Sequence, residues 1–195
     1  MDIQTNFRKN IETERLVLAF PDLVTFELAM EVYDAVEKSK DHLKRFLPWA
    51  WTMKSAEQEF LYLKDYADAG WEKQTGFVYL IRDKKTGTFL GVIDFMDVNL
   101  KDQSGEIGFW LKTDATGNGY MQEALRVLEE EIFRNGFHRI VIKNDIHNIK
   151  SINVTRNAGY YLEGVFRDSM FDEHTKTFHS LNVWSKINPL VPMQG

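Results

Sequence analysis

Gly105-Glu106-Ile107-Gly108-Phe109-Trp110-Leu111 is followed by Thr116-Gly117-Asn118-Gly119-Tyr120-Met121-Gln122-Glu123-Ala124, a strand-like run that meets a glycine turn and then a helix. In the run, Glu106, Gly108 and Trp110 share one face and Ile107, Phe109 and Leu111 the other. After the turn the spacing predicts a helix from about Tyr120 to Arg134: Met121, Leu125, Leu128 and Ile132 recur at i, i+4, i+7 and i+11, and Gly136 stands where a C-terminal cap belongs. The glycines let the backbone turn with its amides exposed, and the helix adds its positive N-terminal end. Together they suit an anion such as a pyrophosphate. The dinucleotide pattern G-x-G-x-x-G fails at Gln122, and the phosphate-loop pattern G-x-x-x-x-G-K-[ST] fails as well. Taken alone, the glycine pair reads better as an ordinary tight turn.

Upstream, Arg15 to Phe20 has the aliphatic alternation of a first strand, ended by Pro21-Asp22. Thr25 to Lys38 follows as a helix with Phe26, Met30, Tyr33 and Val36 near one face. A shorter piece around Asp41 to Phe46 stops before Pro48, since the residue ahead of proline resists helix. Ser55 to Gln58 reads as a capping box opening a helix to about Gln74. Strands at Phe77 to Arg82 and Phe89 to Val98 then enclose the turn Lys84-Lys85-Thr86-Gly87. Downstream, Arg139 to Lys143 is a strand and Lys150 to Asn157 a short helix ended by Gly159. Strands at Tyr161 to Phe166 and Phe178 to Ile187 flank a polar turn at Asp172-Glu173-His174. The expected fold is a mixed α/β (α+β) layered domain, with a central, mostly antiparallel sheet and helices on both faces.

No repeat, low-complexity tract or linker marks a boundary in the 195 residues, which reads as a single domain over 1–195 with its core at about 12–188. Hydrophobic residues at 44% and charged residues at 27% allow a sizeable core. The net charge of −5 argues against direct nucleic-acid binding and favours cationic partners. With no cysteine, a disulfide framework, a thiolate metal site and a cysteine nucleophile are all excluded. His42, His138, His147, His174 and His179 show no metal-ligand spacing, so no metal is expected. His174 and His179, flanking a turn, read as surface residues. The start of the chain lacks the apolar core of a signal peptide and no apolar run is long enough to cross a bilayer, so the expected location is cytoplasmic.

A second stretch, Asn148-Ile149-Lys150-Ser151, opens the short helix just past a strand. Asn148 offers both a donor and an acceptor at a strand end, as the amides of a pantetheine arm require, and Ser151 lies one helical turn on, where it could reach a thioester sulfur. The plainer reading is that Asn148 caps the helix, and alone it is the stronger one.

Taken with Arg156-Asn157-Ala158-Gly159-Tyr160-Tyr161-Leu162-Glu163-Gly164-Val165-Phe166-Arg167, Glu14-Arg15-Leu16-Val17-Leu18 and the Leu47-Pro48-Trp49 turn, these segments resemble GNAT (GCN5-related) N-acetyltransferases. The nearest likeness is to the branch that acetylates ribosomal-protein N-termini, the RimJ/RimL type. The resemblance implies acetyl-CoA as co-substrate, its pyrophosphate against Thr116, Gly117, Asn118, Gly119, Tyr120, Met121 and Gln122. It places the pantetheine beside the strand ending at Leu111, with Asn148 holding an amide. Thr116 stands where the family has arginine or glutamine, and Met121 where it usually has glycine or alanine. Many members carry a tyrosine acid at the position of Thr155, which leaves Ser151 as proton donor.

A base, if needed, is expected to be a carboxylate in the sheet. Glu106 is the first choice and Asp94, amid Val92, Ile93 and Phe95, the second. With helices over both faces, Glu106 would sit in an apolar region and be either functional or paired. Trp49, Trp51 and Trp71 read as packing for the N-terminal helices, with Trp49 and Trp51 able to line an acceptor cleft. The expected reaction is acetyl transfer to an amine, foremost an N-terminal α-amine of a ribosomal protein. A small-molecule amine (antibiotic, polyamine or amino acid) and a non-catalytic CoA-binding module are the alternatives, and a homodimer is left open.

Overall fold

The computed structural model describes residues 6–65 and 69–189. In chain order its elements are β1 (Asn10–Glu12), β2 (Leu16–Ala19), α1 (Phe26–Leu43), α2 (Trp49–Thr52), α3 (Ala56–Leu63), α4 (Ala69–Glu72), β3 (Phe77–Asp83), β4 (Phe89–Asn99) and β5 (Ser104–Leu111). A 3-10 turn (Thr113–Ala115) leads to α5 (Tyr120–Arg134), β6 (Arg139–Asp145), α6 (Ile149–Asn157), β7 (Tyr161–Asp172) and β8 (Thr177–Ile187). The strands form one sheet in the order β1-β2-β3-β4-β5-β6-β8-β7. Every neighbouring pair is antiparallel except β5 and β6.

That exception positions the site. β5 and β6 pair only from Ser104↔Arg139 to Glu106↔Val141. Beyond these residues β5 runs on to Leu111, still paired with β4, and β6 to Asp145, still paired with β8. The two strands part, and their facing edges present unpaired backbone groups. Backbone donors and acceptors left this way need a partner, which makes the split a candidate slot for an extended, amide-bearing ligand.

α5 supplies one cover of the sheet. Met121, Leu125, Leu128 and Ile132 are all buried, as their spacing predicts, and Gly136 takes φ 88° just past the helix. Phe7, Phe95 and Phe137 pack in mutual contact within the same core. α1 and α2 cover the other face, where Trp49 meets Trp110 at 6.0 Å and the Ser39 hydroxyl accepts from the Thr113 N–H.

Several boundaries differ from the sequence reading. α1 runs through Leu43, absorbing part of the separate piece expected at Asp41 to Phe46. Its buried face is Ala29, Val32, Ala35, Val36, Ser39 and Leu43, whereas Phe26 and Met30 are exposed. Small residues let this helix lie close to the sheet, and they carry little hydrophobic signal. Ser55 caps α3 as expected, but Gln58 accepts from the Lys54 N–H rather than that of Ser55. α3 ends at Leu63, and part of the longer helix expected there lies outside the described residues. β1 is too short for a pattern to reveal, and β7 extends to Asp172. No described helix is long and apolar enough to cross a membrane.

Candidate active site

β5 ends at Leu111 beside the split and passes through the 3-10 turn to the glycines. Gly117 takes φ 83° and Gly119 φ 77°, a left-handed region that glycine enters without strain. Gly119 is the N-cap of α5 and has no side chain to cap it. Among the described residues, the backbone N–H groups of residues 117–122 donate to no protein acceptor. They converge at the positive end of a 15-residue helix, which is the local design of an anion site.

The side chains of this segment turn inward or lock the turn, leaving the ligand to the backbone. Asn118 Nδ2 donates to the Ala115 and Thr116 carbonyls, and Met121 is buried. Gln122, with its amide placed so that Nε2 donates to the Val154 carbonyl and Oε1 accepts from the Ala158 N–H, ties α5 to α6. Arg15 braces the turn from the N-terminal side. Its guanidinium donates to Glu123 Oε2 at 2.7 Å and to the Asn118 carbonyl at 3.0 Å, and lies over the Tyr120 ring.

Thr116 does not leave the turn without a cation. Lys150 of α6 brings its Nζ to the Thr116 Oγ1 at 3.3 Å, while that hydroxyl donates to the Thr113 carbonyl. His42 lies close by: burial, then the charges of Lys150 and Arg45, hold its imidazole below the usual range. Lys150 and Arg15 thus flank the turn through Thr116 and Asn118 respectively, and neither was singled out from the sequence.

Across the split, the capping reading of Asn148 holds: its Oδ1 accepts from the Ser151 N–H at 3.2 Å, and among the described residues its Nδ2 donates to no protein acceptor. Ser151 Oγ accepts from Asn144 Nδ2 at 3.3 Å. Thr155 is fully buried and donates to the Ser151 carbonyl.

Where β5 and β6 part, Glu106 Oε2 meets Lys143 Nζ at 2.5 Å. Helices do not close over this end of the face, so Glu106 opens on a groove of about 560 Å³ lined also by Arg139, Glu163, Val165 and Phe166. In that groove Arg139 holds Glu163 through two bonds of 2.6 Å. The environment expected for Glu106 belongs instead to Asp94. Burial, against the bond from the Gly108 N–H, pushes the Asp94 carboxyl up to about 7. Gly108 is required beneath it, since a Cβ there would come within 2.6 Å of Asp94 Oδ1.

A further bridge forms between distant segments: Trp51 of the α2 segment stacks on His174 of the β7–β8 turn with centroids 3.5 Å apart. His174 is exposed, as expected, although its ring is stacked, whereas His179 is half-buried with its Nδ1 2.6 Å from the buried Asp145 carboxylate. Trp71 packs on Phe20 as expected. Among the described residues no group of side chains has the arrangement of a metal site.

Comparison with known proteins follows this geometry. The family model described as acetyltransferase (GNAT) domain matches residues 23–161. The chain is 26% identical over 157 residues to the ribosomal-protein-serine acetyltransferase of Escherichia coli K12, covering 80% of this chain and 85% of that protein. A solved RimL, a ribosomal L7/L12 alpha-N-protein acetyltransferase in complex with coenzyme A, superposes with a TM-score of 0.82 at 23% identity, over 91% of this chain and 97% of that one. The microcin C7 self-immunity acetyltransferase MccE, in complex with acetyl-CoA and AMP, superposes with a TM-score of 0.81 at 20% identity, over 90% and 93%. With the split sheet and the uncapped glycine turn already in place, the match over residues 23–161 settles the family: this chain is a GNAT acetyltransferase.

Proposed function

We propose that the protein transfers the acetyl group of acetyl-CoA to the N-terminal α-amine of a protein or peptide, of the ribosomal-protein type. The observation that carries this reading is the split between β5 and β6, which has orphan amides and Lys150 at one end and Glu106 beside an open groove at the other. From Glu106 to Leu111 the strand runs roughly 17 Å, room for an extended arm between a phosphate site and a reacting thioester. Pyrophosphate would sit on the amides of residues 117–122, and the arm would pair with the free edge of β5 and with Asn148.

In the reaction the lone pair of a neutral amine attacks the thioester carbonyl carbon. The C–N bond forms, and the C–S bond breaks with its electron pair left on sulfur. Ser151 gives its hydroxyl proton to that sulfur, while the surplus amine proton passes to Glu106, directly or through water, and returns to Ser151 by way of solvent. Much of the rate comes from holding both reactants in one cleft. The openness of the groove supports a chain end as acceptor, and the ribosomal-protein substrates in the names of the relatives point the same way. Such an acceptor belongs to the cytoplasm.

The test is release of free thiol from acetyl-CoA against peptides, polyamines and aminoglycosides. Turnover with peptides having free N-termini is expected. Turnover only with small amines would replace the acceptor, and none with any amine would leave a CoA-binding module.

A further inference from the structure

Asn144, near the end of β6, is buried and has every polar position of its side chain engaged. Its Oδ1 accepts from Asn182 Nδ2 at 3.2 Å and from Trp184 Nε1 at 3.1 Å. Its Nδ2 donates to Ser151 Oγ at 3.3 Å and to Thr155 Oγ1 at 3.2 Å. An indole N–H only donates, so Trp184 fixes which end of the Asn144 amide is oxygen. The nitrogen is then forced toward α6, and Ser151 is forced to be an acceptor from it. Among the described residues the Ser151 hydroxyl hydrogen has no acceptor, and that oxygen stands beside the split between β5 and β6.

We infer that Asn144 is a positioning residue that sets the direction of the Ser151 proton, through the chain Trp184 Nε1–H to Asn144 to Ser151. The inference rests on the acetyl-transfer reading and deepens it. By occupying the Ser151 oxygen as a donor, Asn144 leaves the Ser151 proton directed at the sulfur, the atom that gains an electron pair when the C–S bond breaks. Thr155, the other partner of Nδ2, is held by its own bond to the Ser151 carbonyl and keeps the amide plane in place.

The test inverts the polarity without removing the network. In Asn144→Asp one carboxylate oxygen still accepts from Asn182 and Trp184, but the other now takes the Ser151 proton. The expected result is a fall in kcat on the order of 10²-fold, the lower end of what a general acid contributes, with KM for acetyl-CoA and its calorimetric affinity unchanged. Because both changes act on one proton, Asn144→Asp combined with Ser151→Ala is expected to be no slower than Ser151→Ala alone. Should the aspartate variant not fold, the cycle of Asn144→Ala with Ser151→Ala reads the same coupling. Wild-type kcat in a folded Asn144 variant, or losses that simply add, overturns the positioning role. Failure of the wild-type protein itself to bind acetyl-CoA or release thiol overturns the acetyl-transfer reading, a different result from the first.

Discussion

Lys150 reaches from the first turn of α6 to the hydroxyl of Thr116, on the far side of the split sheet, with Nζ and Oγ1 3.3 Å apart. It puts a cation against the glycine turn at a place where the residue in the turn itself has none. Charge-assisted hydrogen bonds contribute about 1.5–3 kcal/mol, so Lys150→Ala is expected to weaken acetyl-CoA binding by roughly tenfold or more. Thr116→Ala, which leaves the backbone amides and Lys150 in place, is expected to change affinity little. Gly119→Pro is expected to abolish it, because φ 77° lies outside what proline adopts. Calorimetry on the three variants, with melting temperature as a check on folding, decides the ranking. Equal losses for Thr116→Ala and Lys150→Ala would mean that the hydroxyl, not the ammonium, binds the ligand.

Asp94, on the β4–β5 face, is expected to make stability depend on pH. Burial raises the folded-state pKa of Asp94 to about 7, above its unfolded value. Its contribution to stability is therefore fully present below the unfolded pKa, near 4, and is lost as pH rises through about 7. Asp94→Asn keeps an oxygen for the Gly108 N–H and removes the charge. It is expected to gain stability over wild type by up to a few kcal/mol above pH about 7, and nothing near pH 4. Denaturant titrations across that range measure it, and a gain that does not depend on pH would contradict the assignment.

Glu106→Gln is expected to lower kcat by about 10²-fold or more if Glu106 accepts the amine proton, with acetyl-CoA affinity nearly unchanged. Steady-state kinetics of the folded variant are the measurement. Wild-type turnover would assign Glu106 to its ion pair with Lys143 alone.

Local patterns in the chain were enough for α5, because its apolar residues are large, evenly spaced and ended by Gly136. They misled on α1, where Phe26 and Met30 outweigh Ala29 and Ala35 in any hydrophobic reading yet face solvent. At the candidate site, the glycine turn and the Asn148 cap were legible since each is formed by neighbours in sequence. Lys150 stood in plain view between Asn148 and Ser151, but its partner Thr116 is 34 positions away. The same holds for Arg15 with Glu123, Lys143 with Glu106 and Trp51 with His174. Pairings of that kind depend on strand order and on where the sheet parts, and neither leaves a local trace. The ranking of Glu106 ahead of Asp94 missed their surroundings for the same reason, because their difference lies in which end of one face the helices cover.

The contact of Trp51 with His174 joins the α2 segment to the β7–β8 turn, and on the reading proposed above Trp51 lines the acceptor side of the cleft. Trp51→Ala is expected to raise KM for a peptide acceptor several-fold while leaving KM for acetyl-CoA unchanged, since stacked aromatic contacts are worth about 0.5–1.5 kcal/mol beyond burial. Initial rates at varied peptide concentration test this. An equal rise in both KM values would show a general loosening of the fold.

The acceptor is expected to be an α-amine in preference to a lysine side chain, and the reason is protonation. Attack requires a neutral nitrogen. An α-amine of pKa about 8 is roughly 10% neutral at pH 7, whereas a lysine of pKa about 10.4 is neutral to only about 0.04%. A lysine acceptor therefore demands a far stronger base than an α-amine does. Glu106 is already engaged in an ion pair with Lys143. Asp94, the buried carboxyl on the same face of the sheet, is committed to the Gly108 N–H. Such a site suits a nucleophile that is already largely prepared. The net charge of −5 adds a general attraction for basic chain ends, one that should weaken as salt is raised. Short lysine-containing peptides with free and blocked N-termini, offered with acetyl-CoA and mapped by mass spectrometry, are expected to carry the acetyl group on the free terminus and to remain unmodified when it is blocked. Acetylation of lysine in the blocked peptides would overturn the α-amine assignment and would require a stronger base than Glu106 in its ion pair.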